Sequence, residues 1–232
     1  GGTYLTWSYD SSSVTWNNGS FYKINAVSID NQTYTSTNDS NRFYFDLEKP
    51  SSSMNSFSSY WYTTTPLWIN ATATDTWSSV SNVTLYWYYS SNNQTWQGPY
   101  SNGTDSISPY SWNFTFSNGS GFYRFYSIAK DLAANTETVP VTNDTKCGYD
   151  NIAPTCTIEY SNSRTYYKNL DTVTIYANFT EATSGINPTT VQIAINYTGG
   201  TDLSATSMTK KDNTHWTYSL NVTSGTIYNG LF

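Results

Sequence analysis

Few side chains in this sequence can do chemistry, and their spacing limits what that chemistry is. The single histidine, His215, stands between Thr214 and Trp216 in an alternating, strand-like run. A metal site or a nucleophile–base pair needs partners at suitable spacing, and none is visible beside it. Asp46, Glu48 and Asp150 fall at junctions, while Asp171 and Glu181 flank a strand pattern, so no glycosidase pair can be assigned. Gly199-Gly200 reads as a hairpin turn and not as a phosphate loop. The expectation is no catalytic residue and no metal site: a chain that is not an enzyme and carries no cofactor. Ca²⁺ at Asp30 or Asp131 is the minority reading, because no dense Asp-x-Asp cluster accompanies them. Both aspartates are expected to cap backbone donors of a turn instead.

Two kinds of covalent modification are written more clearly. Cys147 and Cys156, the only cysteines, bracket the stretch Gly148 to Thr155. An extracellular pair across so short a loop oxidises readily, so a disulfide stiffening a hinge is expected. Thirteen Asn-x-Ser/Thr triplets occur, at Asn18, Asn31, Asn38, Asn70, Asn82, Asn93, Asn102, Asn113, Asn118, Asn143, Asn178, Asn196 and Asn221. In a chain this rich in Asn, Ser and Thr many arise by chance, and N-linked glycans on several of them are the expectation.

These residues sit on a chain that repeats itself about every hundred residues, the signature of a tandem array. Phe21-Tyr22-Lys23-Ile24-Asn25-Ala26-Val27-Ser28-Ile29-Asp30 aligns without a gap on Phe122-Tyr123-Arg124-Phe125-Tyr126-Ser127-Ile128-Ala129-Lys130-Asp131. Asn-Gly-Ser precedes both, and Phe45-Asp46 matches Tyr149-Asp150 at the exits. The division expected is residues 1–49 as strands E to G of one domain, 50–150 as a complete domain, and 151–232 as strands A to E of a third. Leu67, Ile69 and Ala71 alternate with polar neighbours, as do Val83, Leu85 and Trp87, then Trp112, Phe114 and Phe116. Such period-two patterns are half-buried strands. The third repeat copies the order with Val173-Ile175-Ala177, Val191-Ile193-Ile195 and Trp216-Tyr218-Leu220, and Leu5-Trp7-Tyr9 opens the first.

Composition narrows the class. With 22 Tyr, 18% aromatics and only 11% charged residues, strand propensity dominates and the aromatics must build cores. The net charge of −6 comes with no run of Lys or Arg, which sets nucleic acid aside. No stretch of about 18 apolar residues and no signal-like start is present, so neither a membrane span nor a leader is expected within this segment.

The run Gly121 to Asn135, with the Asn151-Ile152-Ala153-Pro154-Thr155 junction, resembles the prokaryotic immunoglobulin-like repeats of bacterial and archaeal cell-surface proteins. Ala134 stands where those repeats usually carry Gly, which puts that tight turn in question. The resemblance implies an all-β fold of tandem immunoglobulin-like antiparallel β-sandwiches, the first and last incomplete in this chain, serving as spacer, wall or adhesive stalk. Tyr22 and Tyr123 then resemble a tyrosine corner, the hydroxyl tied back to backbone.

Trp87, Trp112 and Trp216 alternate like core residues, whereas Trp61, Trp68, Trp77 and Trp96 fall in loops or on the opposite face and form the candidate contact surface. The functional expectation is an extracellular, cell-surface structural protein of a surface layer (S-layer), sheath or filament, archaeal if the sequons are used. Its partners would be flanking repeats or copies of itself, polymerising head-to-tail by strand addition. The alternative is an adhesin stalk or a carbohydrate-binding accessory module of a secreted enzyme.

Overall fold

A computed structural model describes all residues except 1–5, 7, 38, 162, 163, 165, 197–202 and 223–232. The described residues form sixteen strands and no α-helix, as a chain poor in helix formers and rich in Tyr, Thr and Val should. The first repeat holds β1 (Ser20–Ala26) and β2 (Asp39–Phe45). The middle repeat holds β3 (Ser51–Met54), β4 (Trp61–Tyr62), β5 (Leu67–Thr74), β6 (Val80–Ser90), β7 (Gln97–Asp105), β8 (Tyr110–Phe114), β9 (Gly121–Asp131) and β10 (Thr145–Tyr149). The last holds β11 (Thr155–Tyr160), β12 (Thr172–Thr180), β13 (Gln192–Ile195), β14 (Leu203–Ser207), β15 (Thr209–Lys210) and β16 (His215–Asn221).

In the middle repeat a three-stranded sheet, β3-β5-β8, accompanies a five-stranded one, β4-β10-β9-β6-β7, an arrangement consistent with a β-sandwich. Alternation decides which side chains go inward. Ile69 of β5, Phe114 of β8, Leu85 of β6 and Phe125 of β9 have no solvent exposure. Phe114 meets Phe125 edge-on at 5.0 Å and Trp87 at 5.2 Å between ring centroids, a geometry that aromatic quadrupoles favour. Two carboxylates beyond β9 fasten the short edge strand β3. Glu137 accepts from Ser52 N–H at 2.8 Å and from Ala129 N–H at 2.8 Å, and Asp144 accepts from Met54 N–H and Ser127 N–H.

Two details depart from the sequence reading. Gly98-Pro99, read as a turn, lies inside β7, which pairs with β6 through register shifts. β7 is an edge strand, and an edge is where a residue without an N–H is tolerated. The sandwich is also not wholly antiparallel, because β4 pairs with β10 in parallel, Trp61 opposite Gly148 and Tyr62 opposite Tyr149.

The chain divides into two compact units: residues 1–60, 64–117 and 122–147, and residues 61–63, 118–121 and 148–232. In the first unit the β1–β2 hairpin forms its own two-stranded sheet. Ile24 there is 55% exposed, whereas Phe125, its aligned counterpart, is fully buried. The start expected at Leu5-Trp7-Tyr9 lies outside the described residues at Leu5 and Trp7, and Tyr9 is exposed and forms no strand. In the second unit the sheets are β11-β12-β16-β15 and β13-β14. Val173, Ile175, Ala177, Ile193 and Trp216 share a core, as their alternation requires.

Candidate functional site at the first junction

The turn after β9 is closed by several backbone hydrogen bonds, and it occurs twice. Asp131 N–H donates to Asn135 O at 3.1 Å, Ala134 N–H to Asp131 O at 3.3 Å and Glu137 N–H to Ala129 O at 2.9 Å. The aligned residues of the first repeat make the same bonds: Asp30 N–H to Tyr34 O, Thr33 N–H to Asp30 O and Ser36 N–H to Ser28 O. Each loop closes on an isolated bridge, Ile29 with Thr35 and Lys130 with Thr136. Ala134 (φ +75°) and Thr33 (φ +71°) occupy matching left-handed positions. The two loops thus share one backbone path through a left-handed residue that carries a Cβ, a conformation strained for an L residue. Asp30 and Asp131 cap the loop as expected, with Asp131 Oδ1 accepting Asn135 N–H at 2.7 Å and Asp30 Oδ1 accepting Tyr34 N–H at 2.8 Å.

Around the second of these loops the fold assembles a group that no sequence spacing revealed. Asp46 follows β2, Asp75 follows β5 and Asp131 ends β9, and one carboxylate oxygen from each lies within 4.8 Å of the others. Asp131 is 1% exposed and Asp46 7% exposed. Each is held in place by its own loop. Asp75 Oδ1 accepts the N–H groups of Trp77, Ser78 and Ser79 at 2.8–3.0 Å. Asp46 Oδ1 accepts Glu48 N–H at 2.8 Å. Asn135 Nδ2 donates to Asp131 Oδ2 at 2.8 Å and to the backbone oxygen of Asp46 at 3.2 Å, tying the junction to the turn. The second oxygens of Asp46 and Asp75 are buried with no hydrogen-bond partner.

Three carboxylates this close repel one another by about 3 kcal/mol per pair at an effective dielectric of ~20. A buried oxygen without a donor is a further cost. Neither ion pair among the described residues touches the group, since these join Arg164 to Asp171 and His215 to Asp212. The cluster is thus a cage of carboxylate oxygens able to hold a cation.

The aligned junction further on is built differently. Asp150 takes the place of Asp46 and Glu181 that of Asp75. Asp150 Oδ1 accepts Ile152 N–H at 3.0 Å, while Oδ2 accepts Ser184 N–H at 3.2 Å. Burial pushes the Asp150 carboxyl up, but hydrogen bonds from Ser184, Ile152 and Ser120 outweigh it and hold the group below the usual carboxylate range.

The other candidates resolve one by one. Cys147 and Cys156 are both free thiols, which corrects the expected disulfide. Alternation along β10 turns Cys147 into the interior, where burial pushes its thiol up to about 12, whereas Cys156 is exposed on β11. His215 has partners after all: its Nδ1 lies 2.8 Å from Asp212 Oδ1 and 3.0 Å from Thr214 Oγ1. A catalytic relay needs acid and nucleophile on opposite ring nitrogens. Here both meet the same one, so the trio is a turn cap.

Of the four surface tryptophans, Trp68 is 64% exposed and Trp77 45% exposed. Trp61 packs on Gly148 and Trp77 on Gly19. Trp96 lies beneath Arg124, whose guanidinium carbon is 3.8 Å from the ring centroid. Among the sequons, Asn18, Asn31, Asn70, Asn93, Asn113, Asn118, Asn178, Asn196 and Asn221 are exposed and Asn82, Asn102 and Asn143 half-buried, while Asn38 lies outside the described residues. Tyr22 behaves as a corner residue, its hydroxyl accepting Asn17 N–H at 2.7 Å. No known family model and no curated protein matches the chain in sequence.

Proposed function

We propose that this chain is a structural segment of an extracellular surface protein. In this reading tandem immunoglobulin-like domains serve as spacer or wall units of a cell-surface layer, sheath or filament. The observation that carries the reading is the doubled turn: two repeats share backbone bonds, a bridge and a left-handed residue although their loop side chains differ. Reuse of one rigid unit along a chain builds length and does not build a catalytic pocket. The three-against-five strand arrangement, with the first edge split between β3 and β4, supports the immunoglobulin-like comparison. Exposed Phe21, Ile24 and Tyr44 of the β1–β2 hairpin offer apolar surface to flanking repeats or to copies of the chain. The neutral, hydroxyl-rich surface and the exposed sequons fit a glycosylated exterior.

Imaging of the native particle tests the reading directly. Ordered polymers or a lattice containing this chain support it, and a dispersed soluble protein refutes it. Sugar binding is the second reading, favoured by an open cavity of about 180 Å³ lined by Tyr88, Trp96, Arg124 and Tyr126 among others. Arg124 already covers one face of Trp96, which removes a stacking platform and ranks this reading below the first. Specific retention on a glycan array would reverse that order.

A further inference from the structure

We infer that Asp46, Asp75 and Asp131 form a Ca²⁺ site that locks the first junction to the middle sandwich. Two independent observations converge on it. Three carboxylates from separate segments point oxygens at one small volume. In that group Asp46, 93% buried by its 7% exposure, keeps Oδ2 unpartnered, and Asp75 likewise has a buried, unpartnered Oδ2. Donors were at hand to close this gap. Three successive amides cap Asp75 Oδ1, and Asn135 caps Asp131, yet none turns to the free oxygens.

The comparison within the chain sharpens the point. At the aligned junction the amide of Ser184 reaches Asp150 Oδ2, so a backbone donor neutralises what the first junction leaves open. The Asp46 oxygen left free at the first junction is thus capped in its Asp150 counterpart at the second.

The chemistry selects the ion. All donors are hard carboxylate oxygens, with no imidazole or thiolate in the group, which excludes the softer metals. Ca²⁺ holds oxygens about 2.3–2.6 Å away, so ligands across it stand about 5 Å apart, close to the span here; Mg²⁺ at about 2.0–2.1 Å demands a tighter cage and keeps its waters. A divalent ion offsets two of the three carboxylate charges and relieves most of their mutual repulsion. The ion would join the segment after β2 to the ends of β5 and β9, making the orientation of successive units depend on it.

The test uses the 232-residue chain. Extracellular Ca²⁺ modules bind with Kd of about 0.1–1 mM, so 10 mM CaCl2 should raise the melting temperature by about 3–10 °C over EDTA at ionic strength matched with NaCl. Asp46→Asn and Asp75→Asn keep the Oδ1 acceptors. Each is expected to melt at or above the wild type in EDTA, because repulsion is relieved, and to lose the Ca²⁺ shift. Tb³⁺ supplies a second readout. Trp77, whose backbone N–H donates to Asp75, lies two residues from that carboxylate, so tryptophan excitation should sensitise Tb³⁺ emission in the wild type and in neither variant. Absence of both the thermal shift and the emission in the wild type, or persistence of either signal in both variants, overturns the site.

Discussion

Replacing Ala134 by Gly should stabilise the protein, and the size of the gain follows from one angle. Ala134 sits at φ +75° in the turn after β9. A left-handed conformation costs a residue with a Cβ about 1–2 kcal/mol. Its methyl group is exposed, so removing it forfeits no core packing. Glycine is more flexible in the unfolded chain, which returns about 0.4–1 kcal/mol. The difference leaves a net gain of about 0.5–1 kcal/mol, or about 1–4 °C in Tm for a chain of this length. Ala134→Val is the opposing control, since a β-branched side chain is worse in that region, and it should lower Tm by more than Gly raises it. Thermal melts followed by circular dichroism decide the matter. A Gly variant that melts below the wild type, or a Val variant that melts with it, refutes the assignment of a left-handed, strained turn.

Gly148→Ala should destabilise by about 1–3 kcal/mol, because its Cβ would enter the ring of Trp61; the double variant with Trp61→Leu should recover most of the loss in a denaturant titration. With both cysteines unpaired, native unreduced protein should take up one maleimide, at Cys156, and a second, at Cys147, only after unfolding; a mass two hydrogens light that takes up none restores the disulfide. Asp150 is held below the ordinary carboxylate value, so its stabilisation is present above about pH 4 and lost as pH falls through the lower folded value. Melting temperature should therefore drop as pH falls below about 4, with a flatter profile for Asp150→Asn; an unchanged profile contradicts the hydrogen-bonded charge. Intact mass before and after deglycosylation should fall for material from the native source, and a mass equal to the bare chain removes the glycans from the functional reading.

Strands were the legible part of the sequence. Leu67, Ile69 and Ala71 alternate with exposed neighbours because one face of β5 is buried and the other wet, and that asymmetry is written residue by residue. β7 escaped because its residues are largely exposed on both faces, leaving Gly98-Pro99 as the strongest local signal and the wrong one. The parallel pairing of β4 with β10 joins two residues to a partner far along the chain, and no local pattern encodes it. The carboxylate cluster was hidden for the same reason. Asp46 read as a junction residue and Asp131 as a turn cap, and only the closure of the middle sandwich brings them to Asp75. The cysteines failed for a different cause: nearness along the chain suggested a bond, while the alternation of β10 turned one thiol inward.

The two-residue parallel ladder between β4 and β10 has a mechanical meaning. β4 follows β3 into the middle sandwich and β10 leaves it at Tyr149, where Asp150 N–H extends the ladder by donating to Tyr62 O at 2.9 Å. Tension along the backbone draws the start of β4 and the end of β10 in opposite directions along one shared axis. In that geometry the cross-strand bonds are loaded together and not peeled one after another. The shortest strand of this sandwich thus lies alongside the exit strand, where its few bonds would serve as a fastener under load more than as a contributor to resting stability.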